Sequence, residues 1–137
     1  MGRVPDAEVR VLVVDDQDLY LRAMKSVIQA TDGFVVVGSA TTGEESLVAA
    51  AELHPQLVLM DVNLPGIDGT EASRRLTAEA GGPVVVLLST YDADQFDISD
   101  SGAAAYVPKA EFGPDRLVQA WAEAARSETD SSIRKPD

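Results

Sequence analysis

Five side chains at four places in the chain are of types that could act together: the carboxylates Asp15, Asp16 and Asp61, the hydroxyl of Ser89, and the ammonium of Lys109. Three carboxylates brought close repel one another and raise each other's pKa unless a cation neutralises them. Mg²⁺ suits such an all-oxygen set, keeps several waters, and often shares its shell with phosphate oxygens. Lys109 would add a compact positive charge for a phosphoryl oxygen, and Ser89 a hydrogen bond to another. Asp61 would then be a nucleophile able to form an acyl phosphate. Taken singly, each residue has a plainer role. Asp15 or Asp16 could cap a helix, Lys109 could be a solvated charge, and Ser89 a turn residue. Only their joint placement separates the two readings.

That placement follows from the apolar pattern. Short runs at Val11–Val14, Phe34–Val37, Leu57–Met60, Val84–Leu88 and a weaker Ala103–Val107 alternate with amphipathic stretches of helical length. Apart from Arg10 beside the first, the runs lack polar alternation, as expected of strands buried on both faces of a parallel sheet. The first helix is expected to bury Leu19, Ala23, Met24, Val27 and Ile28 on one face. The second opens with the capping box Thr42-Gly43-Glu44-Glu45, and the third starts at Asp68 with Glu71 three residues on. Gly113-Pro114-Asp115 begins the last, with proline in the first turn where its missing N–H costs little. The fourth, Tyr91–Ser101, carries Asp92, Asp94, Asp97 and Asp100 and is expected to be short or irregular, because Asp is a poor interior helix former.

Five βα units in about 120 residues predict a doubly wound α/β sandwich with about five helices. The flavodoxin-like strand order 2-1-3-4-5 is the common solution at this size. It makes the fifth strand an edge, where Pro108 is tolerable. Ligands of such sheets bind outside the carboxyl ends of the strands. Strand one ends at Asp15-Asp16, strand three at Asp61, strand four at Ser89-Thr90, and strand five just before Lys109, so three carboxylates, a hydroxyl and an ammonium converge on one edge.

The bulk numbers narrow the function classes. A chain of 137 residues, 45% hydrophobic, suits one compact domain. Zero cysteines exclude disulfides, thiolate metal sites and cysteine nucleophiles. No apolar run approaches the ~20 residues needed to cross a bilayer, and Met1–Glu8 has no signal-peptide core, so a cytoplasmic protein without membrane association is expected. The net charge of −12, from 23 acidic and 11 basic residues, opposes direct nucleic-acid binding. His54, the only histidine, precedes Pro55 and reads as a helix-terminal residue. The stripe Leu117, Val118, Trp121, Ala124 and Ala125 reads as core packing, with a partner surface at Trp121 as the alternative.

The motifs Val-Leu-Val-Val-Asp15-Asp16-Gln17, Leu-Val-Leu-Met-Asp61-Val-Asn63-Leu-Pro65-Gly66-Ile-Asp68-Gly69, Val-Leu-Leu-Ser89-Thr90 and Tyr106-Val-Pro-Lys109 resemble the response-regulator receiver family of two-component signalling. Between motifs the chain looks closest to LuxR/NarL-type receivers. The resemblance runs in order over residues 9–129, leaving 1–8 as an N-terminal extension and 130–137 as a flexible tail or linker start. It implies Asp61 as the phosphoacceptor and Mg²⁺ held by Asp16, Asp61, Asp15 (partly through water) and the backbone carbonyl of Asn63. Ser89, the Thr90 amide and Lys109 would hold phosphoryl oxygens. Tyr106 matches the aromatic that swings inward as the Ser89 hydroxyl moves, and Asn63 and Tyr91 match positions that tune acyl-phosphate lifetime.

The implied partners are a sensor histidine kinase and either a downstream protein or an output domain outside this chain; a homodimer is a family-level expectation. The implied activity is that of an autocatalytic phosphoacceptor with slow self-dephosphorylation, not a turnover enzyme. The sequence departs from the family in three ways. The span from Ser89 to Lys109 is shorter than in LuxR-type relatives, Lys109 is followed by Ala110 where many relatives have proline, and no DNA-binding domain follows the last helix. Two other readings compete. A haloacid-dehalogenase-type phosphatase would need a second Asp at position 63, which is Asn. A phosphate-independent interaction module would have no use for the intact Asp15, Asp16, Asp61, Ser89 and Lys109.

Overall fold

The computed structural model describes residues 8–90 and 97–134. Five parallel strands, β1 (Val9–Val14), β2 (Phe34–Ala40), β3 (Leu57–Asp61), β4 (Val84–Ser89) and β5 (Ala105–Pro108), form one sheet in the order β2-β1-β3-β4-β5. That is the flavodoxin-like arrangement. Among the described residues there are four α-helices: α1 (Asp18–Gln29), α2 (Gly43–Leu53), α3 (Gly69–Thr77) and α4 (Pro114–Arg134).

Strand alternation divides the core. Val11, Val13, Leu57, Leu59, Val86, Leu88 and Val107 pack with Leu21, Met24 and Ile28 of α1 and with Leu117 and Ala120 of α4. Leu12, Val14, Val58, Met60, Val85, Leu87 and Tyr106 face the other way, with Ala50 of α2 and Ala72 and Leu76 of α3. Burying one Val or Leu side chain contributes roughly 1.5–3 kcal/mol, so these two layers outweigh local helix propensity.

Local signals set several boundaries. The Thr42 hydroxyl accepts from the Glu45 N–H at 3.0 Å, and the Glu45 carboxylate reaches back to the Thr41 N–H at 2.6 Å. The Asp68 carboxylate caps α3 by accepting from the Glu71 N–H at 2.9 Å. Arg10, the polar residue beside the first apolar run, ends α2. Its guanidinium donates to the His54 carbonyl at 2.5 Å and the Leu53 carbonyl at 2.6 Å, while His54 itself caps the helix with φ of 51°.

Some expectations need correction. On α1 the buried stripe is Leu21, Met24 and Ile28, whereas Leu19 is 75% exposed and Ala23 is exposed. The strand-to-helix connection turns that face a residue further round. On α4, Val118 and Ala125 are exposed and Ala120 takes a core position, while Trp121 is partly buried against the α1/α4 layer. The second strand continues to Ala40, with a register shift opposite Val11 and Leu12. The fifth begins at Ala105, because the Ala103 N–H is taken by the Ser101 hydroxyl in the preceding turn. The last helix runs to Arg134, past residue 130, where a tail was expected. Residues 91–96 of the expected fourth helix, Tyr91 among them, lie outside the described residues, and residues 97–104 form turns and irregular chain.

That connecting stretch is tied to α3. Ser73 Oγ donates to the Ser101 carbonyl at 2.9 Å, with both serines fully buried, and Arg74 Nε donates to the Asp100 carbonyl at 2.9 Å. Gly102, at φ of +79°, lies so close to Thr77 that a Cβ would come within 1.9 Å of its hydroxyl.

Candidate functional site

Parallel register assembles the site. Val14 pairs with Met60, so the next residues, Asp15 and Asp61, emerge side by side from β1 and β3. Asp61 pairs with Leu88, and Ser89 pairs with Pro108, which brings Ser89, Thr90 and Lys109 to the same edge. By alternation Asp15 and Asp61 continue the rows that face α1 and α4. Ser89 continues the Val85–Leu87 row, the side on which Tyr106 is buried.

Carboxylate oxygens of Asp15, Asp16 and Asp61 all lie within 4.8 Å of one another. Asp15 and Asp61 are buried, whereas Asp16 is exposed. Lys109 Nζ sits 2.7 Å from Asp15 Oδ2 and 3.5 Å from Asp61 Oδ1. Asp15 Oδ1 accepts from the Gln17 N–H at 2.9 Å, but the buried Oδ2 accepts no hydrogen bond from the described residues and is ion-paired with the ammonium. A buried carboxylate oxygen held by one movable cation is suited to a second one. With three clustered carboxylates as donors, the residues present fit Mg²⁺.

Burial pushes the Asp61 carboxyl up to about 6 from an ordinary 3.8. Lys109 opposes that rise, Asp15 adds to it, and a hydrogen bond from the Asn63 backbone lowers it. Loss of hydration is the largest cause, so a cation beside Asp61 restores its charge and nucleophilicity. Asn63 is exposed, Thr90 is an exposed bend just past β4, and Ser89 is fully buried.

Two features were not legible in the residue types. Gly69, at the start of α3, abuts the strand end: a Cβ there would lie 2.1 Å from the Asp61 carbonyl oxygen and 2.9 Å from Val62 Cα. Its N–H also donates to the Val62 carbonyl at 2.8 Å. Backbone atoms cannot rotate away, so Gly69→Ala is expected to destabilise the fold by ~1–3 kcal/mol in urea unfolding. It should also displace Asp61 and slow any reaction there; wild-type stability would mean the contact is looser than described. The second feature is Tyr20, whose ring centroid lies 3.7 Å from Lys109 Nζ. Its position four residues after Asp16, at the start of a helix, was the available signal.

A doubly wound sheet with a carboxylate cluster and a lysine at its carboxyl edge is the arrangement that the resemblance to receiver domains implied. A family model described as the response regulator receiver domain matches residues 11–122, and this chain belongs to that family. It is 44% identical over 114 residues to Response regulator GacA of Pseudomonas protegens, a match covering 82% of this chain and 53% of that protein. It is 30% identical over 103 residues to the transcriptional regulatory protein LiaR of Bacillus subtilis, covering 74% of this chain and 49% of that one. The chain thus spans about half the length of these curated relatives.

Among solved structures, the signal receiver domain of the putative response regulator NarL from Mycobacterium tuberculosis is similar with a TM-score of 0.76 at 26% identity, covering 87% of this chain and 97% of that one. A LuxR-family two-component response regulator from Aurantimonas gives 0.77 at 28%, covering 88% and 86%. The LuxR/NarL-like character read from the sequence agrees with these neighbours. No helix among the described residues is long and apolar enough to cross a membrane.

Proposed function

We propose that this receiver accepts a phosphoryl group on Asp61 from a phosphohistidine of a sensor kinase, and that the acyl phosphate changes which partner it binds. The observation that carries the reading is the Asp15–Asp16–Asp61 cluster with Lys109 inside it. An Asp61 carboxylate oxygen attacks phosphorus, the phosphorus–nitrogen bond to the donor imidazole breaks, and the imidazole leaves with the bonding pair. Asp15, Asp16, Asp61 and the Asn63 carbonyl would hold Mg²⁺, which when bound neutralises the carboxylates and draws a phosphoryl oxygen into place. Lys109 leaves Asp15 to pair with a second oxygen. The Thr90 amide and the Ser89 hydroxyl serve the third oxygen.

Partner switching fits a population shift between two packings. Ser89 and the buried Tyr106 lie on the same side of the sheet, so a Ser89 hydroxyl drawn toward phosphate changes the space beside the ring. The partner is a downstream protein or an output domain joined to the receiver, in a cytoplasmic setting, and dimerisation is one form the output could take. The charge of −12 leaves direct nucleic-acid binding by this chain unfavoured.

The test is intact mass after incubation with phosphoramidate, with Mg²⁺ and again with EDTA. A single Mg²⁺-dependent phosphoryl adduct is expected. No adduct under either condition would favour a phosphate-independent interaction module.

A further inference from the structure

Tyr20 belongs to neither apolar layer of the core, yet it is half-buried at the site. Its ring face lies against the ammonium of Lys109, whose side chain is only 9% exposed, between Asp15 and Asp61. We infer that Tyr20 is a positioning residue for phosphoryl transfer, holding the Lys109 ammonium over its ring where the incoming phosphoryl oxygens arrive. The inference rests on the phosphoacceptor reading of Asp61.

The physical case is one of competing holds. In this structure the nearest anion to Lys109 is Asp15 Oδ2 at 2.7 Å, the oxygen best placed to welcome a metal ion. A lysine displaced from Asp15 has a long, flexible stem, and without another contact its strongly hydrated head moves to solvent. An aromatic face attracts a cation through its quadrupole and uses none of the three N–H donors. The ring therefore retains the ammonium while its ion pairing passes from Asp15 to a phosphoryl oxygen. Asp15 provides the resting partner, Tyr20 the constant one. The phenolic hydroxyl has no part in this, so phenylalanine should serve as well as tyrosine.

The test compares wild type, Tyr20→Leu and Tyr20→Phe in three measurements: the phosphorylation rate with phosphoramidate and Mg²⁺, the Mg²⁺ dissociation constant, and the NMR shift of the Lys109 ε-methylene protons. An ammonium seated over a ring places those protons in its shielding cone. The upfield displacement is expected in wild type and Tyr20→Phe and absent in Tyr20→Leu. The rate is expected to fall roughly threefold to tenfold in Tyr20→Leu, as loss of a partly desolvated cation–π contact implies, and to recover in Tyr20→Phe. Mg²⁺ affinity should stay the same in all three.

Equal rates in wild type and Tyr20→Leu would overturn the role of the ring alone. So would a loss of rate accounted for by weaker Mg²⁺ binding, or an unshifted Lys109 in wild type. No labelling of wild type would overturn the phosphoacceptor reading and this inference with it.

Discussion

Asp61→Asn is expected to abolish phosphoryl incorporation and, in metal-free buffer near neutral pH, to make the protein more stable. Both effects have one origin. Asp61 is 5% exposed, and burial raises its pKa to about 6 from 3.8. Between those values the folded protein keeps a proton that the unfolded chain has released, so unfolding releases a proton and stability falls as pH rises. The penalty is absent below about pH 4 and complete above about pH 6; a shift of this size corresponds to about 3 kcal/mol. Asparagine has the same shape and no charge, so it removes the penalty. Urea unfolding of both proteins in EDTA should give similar stabilities at pH 4 and a more stable variant at pH 7.5. Parallel curves across that range would mean Asp61 ionises normally in the fold. Saturating Mg²⁺ should narrow the gap by stabilising the wild type more, since the variant offers one charged ligand fewer.

Lys109→Ala is expected to do the reverse. The ammonium is the only counter-charge that the described residues place within ion-pair distance of Asp15 and Asp61. Removing one partner of a buried ion pair typically costs about 3–5 kcal/mol, because a charge is left without compensation. Here two carboxylates are left facing each other. The loss should be large in EDTA and mostly reversed by Mg²⁺, which takes over the neutralising role. It should also tighten Mg²⁺ binding, since the metal no longer competes with Lys109 for Asp15 Oδ2. Calorimetric titration of wild type and variant reads this directly; weaker binding in the variant would show that Lys109 supports the metal site instead of competing for it. Some phosphorylation by a small donor is expected to survive, while partner binding no longer responds to it.

The residues of the site and the sheet that gathers them were legible for a simple reason. Strands buried on both faces appear as uninterrupted apolar runs, and the residue after each run must lie at one edge. Asp15, Asp61, Ser89 and Lys109 could be placed by that logic alone. What was misread depended on angle and contact instead of type. Leu19 has the spacing of a core residue but lies outside the face that α1 turns to the sheet, because the loop from Asp15 to Gln17 sets the helix rotation. Tyr20 was passed over because its one signal, the spacing from Asp16, says nothing of the lysine that meets it from just beyond β5. Arg10 looked like an interruption of a strand and is a cap for α2, a contact made across 44 residues of sequence.

The ties between α3 and the stretch ahead of β5 bear on how this lineage tolerates insertion and deletion. The Ser73–Ser101 and Arg74–Asp100 hydrogen bonds, with Gly102 seated on Thr77, fix the chain just upstream of Ala105. From that anchor the count to Lys109 is set by β5 itself. A change of length upstream of Asp97 would therefore meet these ties before it reached the edge where Lys109 lies beside Asp15 and Asp61.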